Sequence, residues 1–135
     1  MKYLVIDASV TVAWLLEESP PLALRAMQLL QSGTIGVVPD LWYYEVCNTL
    51  VTAERKGRAA AQVVTSLLAD LERLAEFLEA TPTTPTLLVA AARRSGLTAC
   101  DAAYWELAQR RRLPLATLDV PMRMAAQKAG IEVLK

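Results

Sequence analysis

Four acidic residues sit in markedly apolar surroundings: Asp7 in LVIDASV, Glu45 in LWYYEVC, Asp101 in LTACDAAYW and Asp119 in LATLDVP. Each has an ordinary reading of its own. Asp7 can cap the helix that follows it. Thr98-x-x-Asp101 reads as a capping box, and Asp119 as a turn or cap residue before Pro121. Glu45 can reach solvent from the middle of a helix. Read together, they describe a different object. Carboxylates about 4 Å apart repel by roughly 1 kcal/mol per pair in water, and by about 4 kcal/mol at an effective dielectric of 20. Four in one place call for a divalent cation, and an all-oxygen donor set suits Mg²⁺ or Mn²⁺ rather than zinc. Such ions activate water and stabilise the oxyanions of an in-line attack on phosphate.

Composition narrows the chemistry. The chain of 135 residues contains no histidine. Histidine triads, histidine general-base nucleases and histidine-ligated zinc are therefore excluded, and proton transfer near neutral pH falls to carboxylates, lysine or metal-bound water. Ser9 and Thr117 each stand two residues from an acid of the set. Their hydroxyls either orient a ligand or water there or bond local backbone. Formal net charge is zero, so a strongly basic nucleic-acid binder is not indicated. Cys47 and Cys100 lack metal-ligand spacing and read as reduced core residues.

The elements that must position these groups follow from the hydrophobic pattern. Tyr3 to Ile6 is a short apolar run suited to a strand buried on both faces, and it stops at Asp7 before a helix carrying Val10, Ala13, Trp14 and Leu16. Leu115 to Leu118 is a second such run, stopping at Asp119. If the two strands are neighbours, Asp7 and Asp119 face one crevice at the sheet's carboxyl edge, where open α/β sheets bind ligands. Ser19-Pro20-Pro21 restarts a helix with a serine cap, and Leu22 to Gln31 closes at Ser32-Gly33. Ile35 to Val38 is a strand. Asp40 then caps a helix running to Gly57, with Leu41, Glu45, Asn48 and Thr52 on one side. Arg58 to Leu74 is a helix with an apolar stripe of Val63, Leu67, Leu68, Leu71 and Leu74. Glu76 to Glu79 is an edge strand. Helices follow from Pro85 to Arg94, from Asp101 past Arg110, and from Pro121 to Lys128, and Ile131 to Leu134 is a last strand. The sum is one α/β domain over residues 1–135, a three-layer sandwich with a short parallel sheet of four or five strands and helices on both faces. Neither a membrane span nor a signal peptide is read, which implies a cytoplasmic protein.

The ordered motifs VIDASV, PDLWYYEVCNTL, GLTACDAAYWELA and LPLATLDVPMRMAA resemble those of PIN-domain ribonucleases, and most closely the VapC-type toxins of toxin–antitoxin pairs. The resemblance covers nearly the whole chain. It implies a Mg²⁺- or Mn²⁺-dependent endoribonuclease whose acidic quartet carries over onto Asp7, Glu45, Asp101 and Asp119. Its supporting polar residues carry over onto Ser9, Asn48 and Thr117. It also implies a homodimer and a cognate VapB-type antitoxin that covers the site. The basic residue common after the last aspartate of the family is replaced here by Val120 and Pro121, and Arg123 is the first cation that follows.

Cationic contacts to RNA have candidates in Arg93-Arg94, Arg110 to Arg112, Arg123 and Lys128, otherwise read as solvated charges near helix carboxyl ends. Two other functions use aspartates at strand ends. A non-catalytic interaction module on the same fold would retain partners and cleave nothing. A phosphotransfer receiver or a haloacid-type phosphatase needs acids where this chain has Val5 and Ile6, or Ser9.

Overall fold

A computed structural model describes residues 1–18 and 20–135. The expected Ser19 cap lies outside the described residues. The elements in order are β1 (Tyr3–Ile6), α1 (Ala8–Leu15), α2 (Pro21–Gln31), β2 (Ile35–Pro39), α3 (Trp42–Arg55), α4 (Ala61–Ala75), β3 (Leu78–Thr81), α5 (Pro85–Ser95), α6 (Ala99–Arg111), β4 (Leu115–Ala116) and α7 (Val120–Lys128).

The strands form one parallel sheet in the order β3-β2-β1-β4. Tyr3 pairs with Ile35 and Val5 with Leu115, so β1 lies between β2 and β4. Leu4, Val5 and Ile6 are fully buried, as a strand covered on both faces requires. The chain leaves β1 towards β2 and β3, then returns across the sheet to β4. The strand order thus reverses between β1 and β4, and the carboxyl ends of those two strands open a crevice.

The helices pack in two layers. On one side α1 packs against α2, α3 and α4. On the other, α6 lies on β1, β2 and β4 and is flanked by α5 and α7. Seven consecutive residues of α6, Ala102 to Ala108, are buried, which makes it the central helix of its layer. The Trp42 indole N–H donates to the Thr11 hydroxyl at 2.9 Å, deep between α1 and α3. That bond fixes the first turn of α3 against α1.

Several expected boundaries shift, each for a physical reason. Asp40 does not cap α3. The chain makes one more turn, Leu41 takes the cap position, and Asp40 is exposed. Glu45 therefore lies in the first turn of α3, not its middle. Helix α4 begins at Ala61 and turns Val64, Leu67, Leu71 and Leu74 inward, leaving Val63 and Leu68 exposed. The edge strand β3 is displaced to Leu78–Thr81. Strand β4 ends at Ala116, because the Thr117 hydroxyl is drawn to Asp7. Ile131 to Leu134 contributes a single bridge, Leu115 with Val133, instead of a strand. Both cysteines are exposed, not in the core: on α3 the buried positions are Trp42, Val46 and Leu50, and Cys47 is turned away from them.

Trp42→Phe tests the anchoring of α3. It deletes the ring volume and leaves the Thr11 hydroxyl unpaired, for an expected loss of about 2–4 kcal/mol in denaturant unfolding. A loss below about 0.5 kcal/mol would place the anchor elsewhere.

Candidate functional site

Asp7 occupies the N-cap position of α1, yet its side chain makes no cap bond. The carboxylate turns instead into the crevice floor and is only 4 % exposed. Its Oδ2 accepts from the Ser9 hydroxyl at 2.5 Å and from the Thr117 hydroxyl at 2.8 Å. Each hydroxyl also accepts a backbone bond: Ser9 from the Leu118 N–H at 3.0 Å, and Thr117 from the Asp119 N–H at 3.0 Å. The two readings of these hydroxyls are thus both realised. One network ties the end of β1 to the segment leaving β4 and orients Asp7 as it does so.

The other acids arrive on helix amino termini. Glu45 stands in the first turn of α3 and Asp101 in the first turn of α6, whose N-cap, Thr98, accepts from the Asp101 N–H at 3.2 Å. Asp119 is the N-cap of α7, and its Oδ2 accepts from the Met122 N–H at 2.9 Å. All four acids therefore lie at the amino end of a helix, where exposed N–H groups favour negative charge by about 0.3–1 kcal/mol each. Asp7, Ser9, Glu45, Asn48, Asp101 and Asp119 line one open cavity of about 510 Å³, together with Glu18 and Thr49. Thr117 lies buried beneath it.

Burial and mutual repulsion shape the acidity. Burial raises Asp7 above its ordinary 3.8, against the pull of the Ser9 and Thr117 hydrogen bonds, and the Asp101 charge raises it further. Burial, then Asp7 and Asp101, raise Glu45 above 4.5. Burial and Asp119 raise Asp101. The acids feel one another, as groups around one cavity must.

Two residues of the site have no counterpart in the sequence reading. Tyr104, one turn after Asp101 on α6, is fully buried, and its hydroxyl has no hydrogen-bond partner. Glu45 Oε1 is likewise buried and unpaired. The two stand close enough that the hydroxyl favours the charged carboxylate, and burial beside Glu45 raises the tyrosine's own pKa. The i, i+3 spacing from Asp101 was the available signal, but a tyrosine in an apolar helix reads as core. Glu18 has no such signal. It reaches the cavity because Glu17 closes α1 in the left-handed region at φ +55°, with the Glu18 N–H donating to the Ala13 carbonyl at 2.9 Å. Of the candidate RNA contacts, Arg123 donates to the Thr117 carbonyl at 3.1 Å, beside the site. Arg110 pairs with Glu106 at 2.7 Å, Arg111 with Glu79 at 2.9 Å, and Arg94 lies over the Trp105 ring.

The donor set is all oxygen and includes a buried, unpartnered carboxylate oxygen, a combination that fits a hard divalent cation. Among the described residues no three acids converge into a finished cage.

The comparisons with known proteins agree with this architecture. A family model described as PIN domain matches residues 4–127. Among curated proteins, none matches the sequence. Among solved structures, PAE2754 from Pyrobaculum aerophilum is similar at a TM-score of 0.67 and 22% identity, over 99% of this chain and 84% of that one. VapC20 from Mycobacterium tuberculosis, described as a Sarcin-Ricin loop cleaving toxin, is similar at 0.63 and 15%, over 90% and 94%. VapBC2 from Rickettsia felis, bound to a DNA fragment from their promoter, is similar at 0.65 and 11%, over 98% and 97%.

The raised carboxyls set a pH dependence for the metal-free protein. A group whose folded value lies above its ordinary one holds more protons folded than unfolded. Its contribution is present below the ordinary value and is lost as pH rises through the raised one. Asp7→Asn removes the largest burial effect without a charge. The variant should gain stability relative to wild type as pH rises above about 4, read as the difference in unfolding free energy across the acid range. A pH-independent difference would mean that Asp7 is not strained by its charge.

Proposed function

The chain belongs to the PIN-domain family, and from that premise we propose that it is a Mg²⁺- or Mn²⁺-dependent endoribonuclease of the toxin class. Asp7, Glu45, Asp101 and Asp119 would hold the cation, directly or through its waters. The observation that supports this most is the oxygen-lined cavity at the point where the strand order reverses, with four acids from four separate segments.

When bound, the cation supplies an activated water and neutralises charge on the phosphate oxygens. The chain's own residues do the rest. Ser9 and Thr117 fix the Asp7 carboxylate, so its orientation is set before substrate arrives. Without histidine, a cavity carboxylate that the cation leaves free is the side chain placed to take the proton lost by the attacking water. Asn48, on the cavity wall, offers an amide for a ligand or water. The exposed cavity admits a strand instead of enclosing a small molecule. Zero net charge argues against tight binding of bulk RNA and for selection of an RNA shape, a single-stranded loop above all.

Partners follow from the same reading. A cognate antitoxin and a second copy of this chain both need apolar surface. Tyr43, Tyr44 and Val51 on α3, with Val63 and Leu68 on the adjoining α4, provide it. No helix among the described residues is long and apolar enough to cross a membrane.

The test is cleavage of RNA by purified protein with Mg²⁺, Mn²⁺ or chelator. Cutting is expected with either metal and none with chelator. Asp7→Asn should lower the rate by at least about 10²-fold while still unfolding in one cooperative transition, no less stable than metal-free wild type. Undiminished cutting by that variant would move catalysis out of this cavity. No cutting by wild type with either ion would leave a non-catalytic interaction module on the PIN fold.

Ser9→Ala and Thr117→Val make a finer test. Each removes one hydroxyl from Asp7 and is expected to cost about 10–100-fold in activity or metal affinity. Wild-type values in both would reduce those hydroxyls to a structural tie between strands.

A further inference from the structure

A second cavity, of about 590 Å³, continues from the acidic one, and the two share Glu18, Asn48 and Thr49 as common wall. Helix α3 forms the floor of both. From Glu45 to Thr52 the helix advances about 10 Å, at about 1.5 Å per residue. Along that length the α3 lining changes from the Glu45 carboxylate to the neutral Asn48, Thr49 and Thr52, while Glu18 stays in the shared wall, and Arg58 lines the second cavity. Among the described residues that line either cavity, Arg58 is the one cation.

Arg58 is also held ready. After α3 closes, Gly57 takes a left-handed conformation at φ +70°, which a side chain would disfavour. The Arg58 N–H then donates to the Ala53 carbonyl at 2.9 Å, which fixes the turn. The guanidinium is exposed and makes no ion pair or side-chain hydrogen bond among the described residues. Arg110 and Arg111, by contrast, are paired, and Arg94 is stacked on an aromatic ring.

We propose that Arg58 is a phosphate anchor for the RNA strand, holding a nucleotide outside the cleaved bond while the acidic cavity takes the scissile phosphate. The inference rests on the nuclease reading of that cavity. A polyanion entering an acidic crevice is repelled over a Debye length of about 10 Å, so attraction must come from a cation set apart from the acids along the same groove. From Asn48 to Thr52 the neutral floor is about 6 Å long, at about 1.5 Å per residue, which sets a phosphate at Arg58 apart from one held in the acidic cavity. Arginine suits the role because its planar fork binds phosphate with two parallel hydrogen bonds.

The experiment measures binding of a fluorescent single-stranded RNA oligomer in chelator, where nothing is cut, over a range of salt. It compares wild type, Arg58→Ala, Arg58→Lys and Arg73→Ala, the last as a control for the loss of one positive charge at a residue that lines neither cavity. Arg58→Ala is expected to weaken binding about fivefold to tenfold, equivalent to one strong phosphate contact, and to lower the slope of log affinity against log salt by about 0.7. Arg58→Lys should retain most of the affinity and the whole slope. In Mg²⁺, Arg58→Ala should raise KM for the oligomer with kcat unchanged, since the contact lies away from the reacting bond. Equal behaviour of Arg58→Ala and Arg73→Ala, or unchanged binding, overturns the proposal. If wild type binds RNA through Arg58 but cuts nothing in Mg²⁺, the nuclease reading fails and the anchor stands. If wild type cuts RNA and Arg58→Ala matches it in KM and slope, the anchor fails and the nuclease reading stands. Wild type that neither binds nor cuts RNA overturns both.

Discussion

A carboxylate that is 4 % exposed, at the end of the central strand, is the constraint the rest of this molecule answers to. Burying an ionised group costs several kcal/mol unless something in the interior replaces water. Here the replacement is two hydroxyls on one oxygen, from Ser9 and Thr117. Because those hydroxyls also accept the Leu118 and Asp119 N–H groups, satisfying Asp7 simultaneously ends β4 and launches α7. Strand pairing, chain reversal and the geometry of the crevice are one hydrogen-bond network.

The same constraint explains why four acids are tolerated together. Each comes to the cavity at the amino end of α1, α3, α6 or α7, where unsatisfied N–H groups offset part of the repulsion. The offset is incomplete: Asp7, Glu45 and Asp101 all remain raised, and burial is the first cause in each. What remains is an anionic pocket in which a buried Glu45 oxygen has only the neighbouring Tyr104 hydroxyl to turn to. A fold left with that imbalance has electrostatic free energy to gain from a doubly charged ion, and a chain without histidine has few other ways to polarise water.

Much of this was legible in the residues. The apolar runs that stop at Asp7 and Asp119 marked β1 and the start of β4, because a strand buried on both faces leaves no alternation to misread; their adjacency was a condition there, and the pairing of Val5 with Leu115 meets it. Thr98 marked a helix start through a local bond that needs no tertiary context. What failed depended on context. Asp40 has the chemistry of a cap, but the anchoring of Trp42 under Thr11 starts α3 one residue later. Glu45 was read as mid-helix although it stands close to either start, and that hid the common placement of the four acids. On α4, Val63 and Val64 are equally apolar, and only packing decides which faces inward. Tyr104 looked like core because it is core; its role beside Glu45 comes from which residue lies across the layer.

The central claim is that this cavity exists to be neutralised by a divalent cation. Titrating Mn²⁺ into metal-free protein at neutral pH, by calorimetry and by thermal unfolding in parallel, tests it most directly. The account expects saturable binding and a rise in unfolding free energy of about 2.7 kcal/mol at a hundredfold excess over Kd. Both effects should be lost together in Asp101→Asn. A melting curve that Mn²⁺ shifts no further than an equal ionic strength of K⁺, or binding heat that survives in Asp101→Asn, would contradict it.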